Sequence, residues 1–133
     1  MKRVLIYIIL CVALSGCDLY EEWWKDHNFE EYHVSMVKLI ADSDRYHNKP
    51  VQVVGYVSFQ FEDHSVCLHK EDSDNGISRN CMWLKTEKQK CNNVYAIVSG
   101  RFNKNNLGHM GAFGGAIEEV ERIWERQPGK CRN

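Results

Sequence analysis

VQVVGYVSFQF, residues 51–61, places Val51, Val53, Gly55, Val57, Phe59 and Phe61 on one side of a period of two and Gln52, Val54, Tyr56, Ser58 and Gln60 on the other. Successive side chains of an extended chain point to opposite faces, so this pattern predicts a long strand with one apolar face. Gly55, in the middle, brings no side chain to that face and predicts a bend or bulge where the strand coils.

Downstream, Glu62, Asp63 and His64 read as a turn into a second strand, 65–70, and 81–86 reads as a third. Between them EDSDNGISRN, residues 71–80, is polar and carries Gly76, the composition of a turn. The two strands therefore form a hairpin. A hairpin centred near Asp74 brings Cys67 opposite Cys81, where a cross-strand disulfide is geometrically allowed. Residues 94–102 alternate again, with Val94, Ala96, Val98, Gly100 and Phe102 on one face. A glycine-rich connection, NKNNLGHMGAFGG, fills 103–115. The segment 116–125 fits two periods: Ile117, Val120, Ile123 and Trp124 suit a helix, while Ala116, Glu118, Val120, Arg122 and Trp124 suit one strand face. It is assigned as a strand because four preceding strands leave an edge that a fifth would close.

Upstream, Ser35 is placed to cap a helix whose apolar face is Val37, Ile40 and Ala41, with Lys38 and Asp42 away from it and Val34 and Leu39 as a hydrophobic staple. The helix is expected to end at 43–46, before His47, Asn48, Lys49 and Pro50. The expected fold is mainly β, a small five-stranded Greek-key barrel preceded by one short α-helix, spanning 33–126.

The first residues carry an address. Lys2 and Arg3 precede eleven apolar residues, Val4 to Leu14, followed by the small residues Ser15 and Gly16 and then Cys17. The apolar run is short of the roughly 20 residues a membrane span needs. Leu14, Ser15, Gly16 and Cys17 resemble the lipobox of bacterial lipoproteins, which implies a signal peptide over 1–16, acylation of Cys17 and a bilayer as partner. Asp18 is similar to the inner-membrane retention signal of enterobacterial lipoproteins, which implies a periplasm-facing protein on that membrane. Residues 17–32 are expected to be a tether; Asp18, Glu21, Glu22, Asp26, Glu30 and Glu31 alternate there with Tyr20, Trp23, Trp24 and Phe29. Trp23 and Trp24 suit either the headgroup level of a membrane or packing on the domain.

With 1–16 removed, 117 residues remain, enough for one domain with a modest core. Lys2 and Arg3 leave too, so 15 basic residues face 18 acidic ones, a net charge of −3. That balance disfavours polyanions, and no nucleic-acid partner is expected, although Tyr56 and Trp83 would suit base stacking. Of six cysteines, Cys11 leaves and Cys17 is acylated. Cys67, Cys81, Cys91 and Cys131 remain, an even set suited to an oxidising compartment. No CxxC or HxxxH spacing favours zinc. With Cys67 and Cys81 paired across the hairpin, elimination pairs Cys91 with Cys131 and pins a C-terminal tail, 127–133.

LIADSDRYHNKPVQVVGY (39–56), HKEDSDNGISRNCMWL (69–84) and GHMGAFGGAIEEVERIW (108–124) resemble a group of small bacterial OB-fold-like proteins. The resemblance implies an OB-like barrel with ligands at its faces and loops. The cysteines depart from the group and imply adaptation to export.

The polar loops 69–80 and 103–115 are expected to converge on a ligand or partner surface. His69, Lys70, Glu71, Asp72, Asp74 and Arg79 come from the first, and Lys104, Asn106 and His109 from the second. The competing reading is ordinary turn chemistry on a solvated rim. Asp72, Asp74 and Gly76 fail as an EF-hand, which needs glycine where Ile77 stands. Gly108, Gly111, Gly114 and Gly115 match neither a P-loop nor a dinucleotide fingerprint. No nucleophile motif appears. The expectation is a non-enzymatic binding or accessory module for an envelope or incoming protein, with no cofactor. The alternative is a metal- or small-ligand-dependent envelope enzyme or carrier using His69, Asp72 and His109.

Overall fold

The structure is a computed structural model that describes residues 33–87 and 91–131. The expected signal peptide 1–16, the acylation site Cys17 and the tether 17–32 lie outside the described residues. The chain is mainly β, with strands β1 (Pro50–Gln60), β2 (Asp63–Cys67), β3 (Cys81–Leu84), β4 (Val94–Asn103) and β5 (Ala116–Glu125). They pair in the order β1-β2-β3-β5-β4, and β4 returns to β1, so the sheet closes into a ring. Every pairing is antiparallel except β3 with β5.

β1 is long because it serves two neighbours, pairing with β4 through 50–57 and with β2 through 56–60. Gly55 sits where the second pairing begins. A Cβ there would lie 2.5 Å from the Cys67 carbonyl oxygen and 2.6 Å from Val66 Cγ2, so the strands meet at that point only because the side chain is missing. Gly100 does the same on β4, where a Cβ would be 2.7 Å from the Glu118 carbonyl oxygen, and the β4–β5 register shifts between Ser99 and Arg101. The shift explains the double periodicity of 116–125. Ser99 pairs with Arg122 and Arg101 with Glu118, so β5 carries extra residues across this step, and Glu119 turns left-handed at φ 48°. Ile117 and Val120 thereby both reach the core of what is a strand.

Val51, Val53, Val57, Phe59, Val66, Met82, Leu84, Val98 and Phe102 fill the ring, and Val34, Met36 and Leu39 complete this core. Ser35 caps the first helix as expected, its hydroxyl accepting from the Lys38 N–H at 3.2 Å. The single helix becomes two, α1 (Met36–Ala41) and α2 (Ser43–Tyr46), because Asp42 leaves helical geometry at φ −132°, ψ 53°. The apolar face is also corrected: Met36 and Leu39 are buried, whereas Val37 is 59% exposed and Ala41 is exposed. Phe61 lies past the end of β1 and is 93% exposed.

The second strand stops at Cys67 rather than at residue 70, and the expected turn contains a helix, α3 (Lys70–Asp74), and a 3-10 turn, Ser78–Asn80. The third strand ends at Leu84 rather than 86, where the Thr86 N–H turns back to the Leu84 carbonyl. The hairpin register holds nonetheless. Cys67 pairs with Cys81 and the two form a disulfide; Cys91 and Cys131 form another. No helix among the described residues is long and apolar enough to cross a membrane.

Candidate functional site

Two of the residues expected at the polar loops, Asp72 and Arg79, hold those loops in place. Asp72 is buried, its carboxylate accepting from the His69 N–H at 2.9 Å and from the Asn80 side-chain amide at 2.8 Å. This cap starts α3 and ends β2 early. The Arg79 guanidinium donates to the Phe113 carbonyl at 3.1 Å, and the Gly114 N–H donates to the Cys81 carbonyl at 3.0 Å, so the loops do meet. They meet as packing: Phe113 stands edge-on to Trp83 at 5.4 Å, and Trp83 stacks on His64 at 6.0 Å. Cys67, Cys81 and Phe113 form a second small core outside the ring. The Trp83 ring is thus already engaged.

The remaining candidates point to separate neighbours. Lys70 pairs with Asp74, Lys104 with Asp44 of α2, and His109 Nε2 lies 3.7 Å from Glu62 at the β1–β2 turn. The hydrogen bond from Lys104 holds the Asp44 carboxyl below its ordinary pKa. Among the described residues no group of three or more His, Cys, Asp or Glu is placed to hold a metal ion. His69, Asp72 and His109 are thus not gathered into such a group.

A cleft of about 520 Å³ opens on the outer face of β1 and β4. Tyr56 and Tyr95 are cross-strand partners and form its floor, with ring centroids 5.4 Å apart at 70°. Tyr56 is buried and Tyr95 is 43% exposed beside Val54, 46% exposed. Burial pushes the Tyr56 phenol above its ordinary pKa. Lys70 comes from α3, its ammonium 5.8 Å from the Tyr56 ring centroid and its backbone N–H donating to the Tyr95 hydroxyl at 3.2 Å. The hydrogen bond to Asp74 raises the Lys70 pKa, so the rim keeps its charge.

The opposite wall is the tail after β5, which contributes Arg126, Gln127 and Lys130. Arg126 N–H donates to the Tyr95 carbonyl at 3.0 Å. The Glu125 carboxylate folds the tail back by accepting from the backbone N–H groups of Gly129, at 2.8 Å, Lys130 and Cys131. The Cys91–Cys131 disulfide ties the same turn to the start of β4. Lys70, Arg126 and Lys130 thus surround the aromatic floor, and among the described residues no carboxylate lines the cleft. Asp74 compensates Lys70, which leaves Arg126 and Lys130 as the cations of this rim outside an ion pair.

Of these residues the sequence singled out Lys70 for a surface and Tyr56 for stacking. Tyr95, Arg126 and Lys130 were missed, yet a signal existed. Tyr95 falls on the outward face of the alternating strand, and the inferred Cys91–Cys131 bond already brought the basic tail beside it. No family model, no curated protein and no solved structure matches this chain.

Proposed function

We propose that this chain is a lipid-anchored protein of the bacterial envelope, facing the periplasm, whose domain is an OB-like, non-enzymatic module that binds a protein partner. The lipobox ending at Cys17 supports the anchor, and Asp18 supports the inner membrane. The strand order β1-β2-β3-β5-β4, with β3 parallel to β5, supports the OB-like reading. In such barrels ligands sit on the face of the second and third strands and the adjoining loops. Here Phe113 and Ala112 pack against that region beside Trp83, which directs attention to the other face.

The observation that carries the proposal is the cleft over Tyr56 and Tyr95, where an aromatic floor meets a basic rim. Aromatic and arginine side chains are the types that anchor protein interfaces. The test is purification of the natively lipidated protein from mild detergent, with retained proteins identified by mass spectrometry. A partner at comparable stoichiometry, lost in a Tyr95→Ala, Arg126→Ala double variant, is the expected result. A protein that purifies alone, or with only a metal or small molecule, overturns it. In parallel, Cys17→Ala is expected to move the protein out of the membrane fraction.

A further inference from the structure

We propose that the cleft takes an acidic peptide segment in which an apolar or aromatic side chain stands beside carboxylates. This names the partner chemistry and rests on the protein-binding reading above. The lining shows a division of labour. Val54 and Tyr95 are each nearly half exposed on adjacent strands, with Tyr56 beneath them, and together offer an apolar patch wide enough for one large side chain. Cations stand on both sides of it. The Lys70 backbone binds the hydroxyl end of Tyr95 and the Arg126 backbone binds its carbonyl, so these residues bracket the ring along its length. Among the described residues neither the Arg126 guanidinium nor the Lys130 ammonium is in an ion pair, Glu125 meeting Lys130 only at its backbone N–H, and no described lining residue is acidic. Desolvating unpaired cations against an apolar ligand is unfavourable, whereas carboxylates in the ligand would satisfy them with charge-assisted hydrogen bonds. A polyanion fits less well. Its binding grows with the number of phosphates neutralised, and three cations, one already paired with Asp74, give few such contacts.

The wall also favours a ligand that arrives in a fixed pose. Glu125 and the Cys91–Cys131 disulfide hold the backbone that carries Arg126 and Lys130 in place before anything binds, so the ordering left to oppose association is that of the side chains.

The test uses the full lipidated chain in detergent micelles and a fluorescently labelled, end-capped peptide of sequence Glu-Val-Glu-Phe-Glu, with Gln-Val-Gln-Phe-Gln as its neutral twin. Anisotropy titration is expected to show the acidic peptide binding at least tenfold more tightly than the neutral one. Arg126→Glu and Lys130→Glu are each expected to weaken the acidic peptide at least tenfold and to leave the neutral twin unchanged. Tyr95→Ala is expected to weaken both peptides. The far-UV spectrum and urea midpoint of each variant show whether the ring remains folded; Lys130→Glu, at an exposed site, keeps the test informative if Tyr95→Ala does not fold. Equal affinity for the two peptides overturns the proposal. So does binding of vesicles containing phosphatidylglycerol, in place of peptide, that is lost in the same variants. If a copurified partner depends on the cleft but neither peptide binds, the acidic-peptide inference fails and the protein-binding reading stands. If nothing copurifies and neither peptide binds, both fail.

Discussion

The side-chain amide of Asn80 donates to the buried carboxylate of Asp72 at 2.8 Å, while the other oxygen of that carboxylate accepts from the His69 N–H. One residue thus starts α3 and clamps the far end of the same loop. Both oxygens are engaged in structure. Removing a buried, charge-assisted acceptor costs about 2 kcal/mol, so Asp72→Ala is expected to lower the free energy of unfolding by that much, read as a lower urea midpoint at unchanged m, and Asp72→Asn by less because one oxygen remains. Unchanged stability in Asp72→Ala would show that the clamp contributes nothing and return Asp72 to the list of candidate ligands.

Gly55→Ala tests the close approach of β1 and β2. The added methyl would meet the Cys67 carbonyl oxygen at 2.5 Å, and backbone on a disulfide-bonded strand has little room to move. Overpacking of this kind costs about 1–3 kcal/mol. The loss is expected in equilibrium unfolding, with the far-UV spectrum retained. A variant as stable as the wild type would mean that the strands separate more easily than the ring implies.

Much of the ring was legible because strand alternation is a local signal. Val51, Val53, Val57 and Phe59 point inward as their spacing requires, and Cys67 and Cys81 meet at the register that the hairpin length dictates. The errors fell where tertiary contacts override local period. Val37 has the right spacing for a buried helix face but is exposed, because the ring presents itself to Met36 and Leu39 instead. By local pattern 70–74 reads as the end of a strand followed by a turn, since nothing in KEDSD announces that Asp72 will cap its own helix and reach Asn80. The site was legible only in pieces. Polar loops drew attention by composition, whereas the cleft depends on Tyr56, Tyr95 and Arg126, which come together through strand pairing and a folded-back tail.

Phe61 and Met110 provide the contrasting case. They are 93% and 89% exposed, in two connections linked by the Glu62–His109 contact. Substitutions that touch nothing buried change stability by no more than about 0.5 kcal/mol. The Phe61→Ser, Met110→Ser double variant is therefore expected to unfold at the wild-type urea concentration and to bind the acidic peptide normally. A loss of stability would mean that these side chains pack on something in solution.

The two disulfides should differ in effect. Closing a loop removes unfolded-state entropy that grows with its length, giving about 3 kcal/mol for Cys67–Cys81, separated by 14 residues, and about 4 kcal/mol for Cys91–Cys131, separated by 40. Paired serine substitutions are expected to destabilise in that order. Only loss of Cys91–Cys131 is expected also to weaken peptide binding under conditions where the ring stays folded, because it releases the wall that carries Arg126 and Lys130. Equal peptide affinity with and without that bond would show that the tail is held by other contacts.

Those other contacts converge on Glu125. Its carboxyl is held below the ordinary glutamate pKa by the backbone N–H of Cys131 first, then by those of Gly129 and Lys130. A group whose folded pKa is depressed contributes its stabilisation above the unfolded value and loses it as pH falls through the folded one. The hold on the tail is therefore complete near neutral pH and fades below about pH 4.3, the ordinary glutamate value. Because Cys131 remains tied to Cys91, acid is expected to loosen 126–130 without opening the ring. Amide resonances of Gly129 and Cys131, followed from pH 7 downward, should shift together in the acid range while those of Val53 and Val98 stay constant. Glu125→Gln should abolish the shift. A tail whose amides do not move over that range would mean that the carboxylate is not what folds it back, and the disulfide would then be left as the restraint that shapes the cleft.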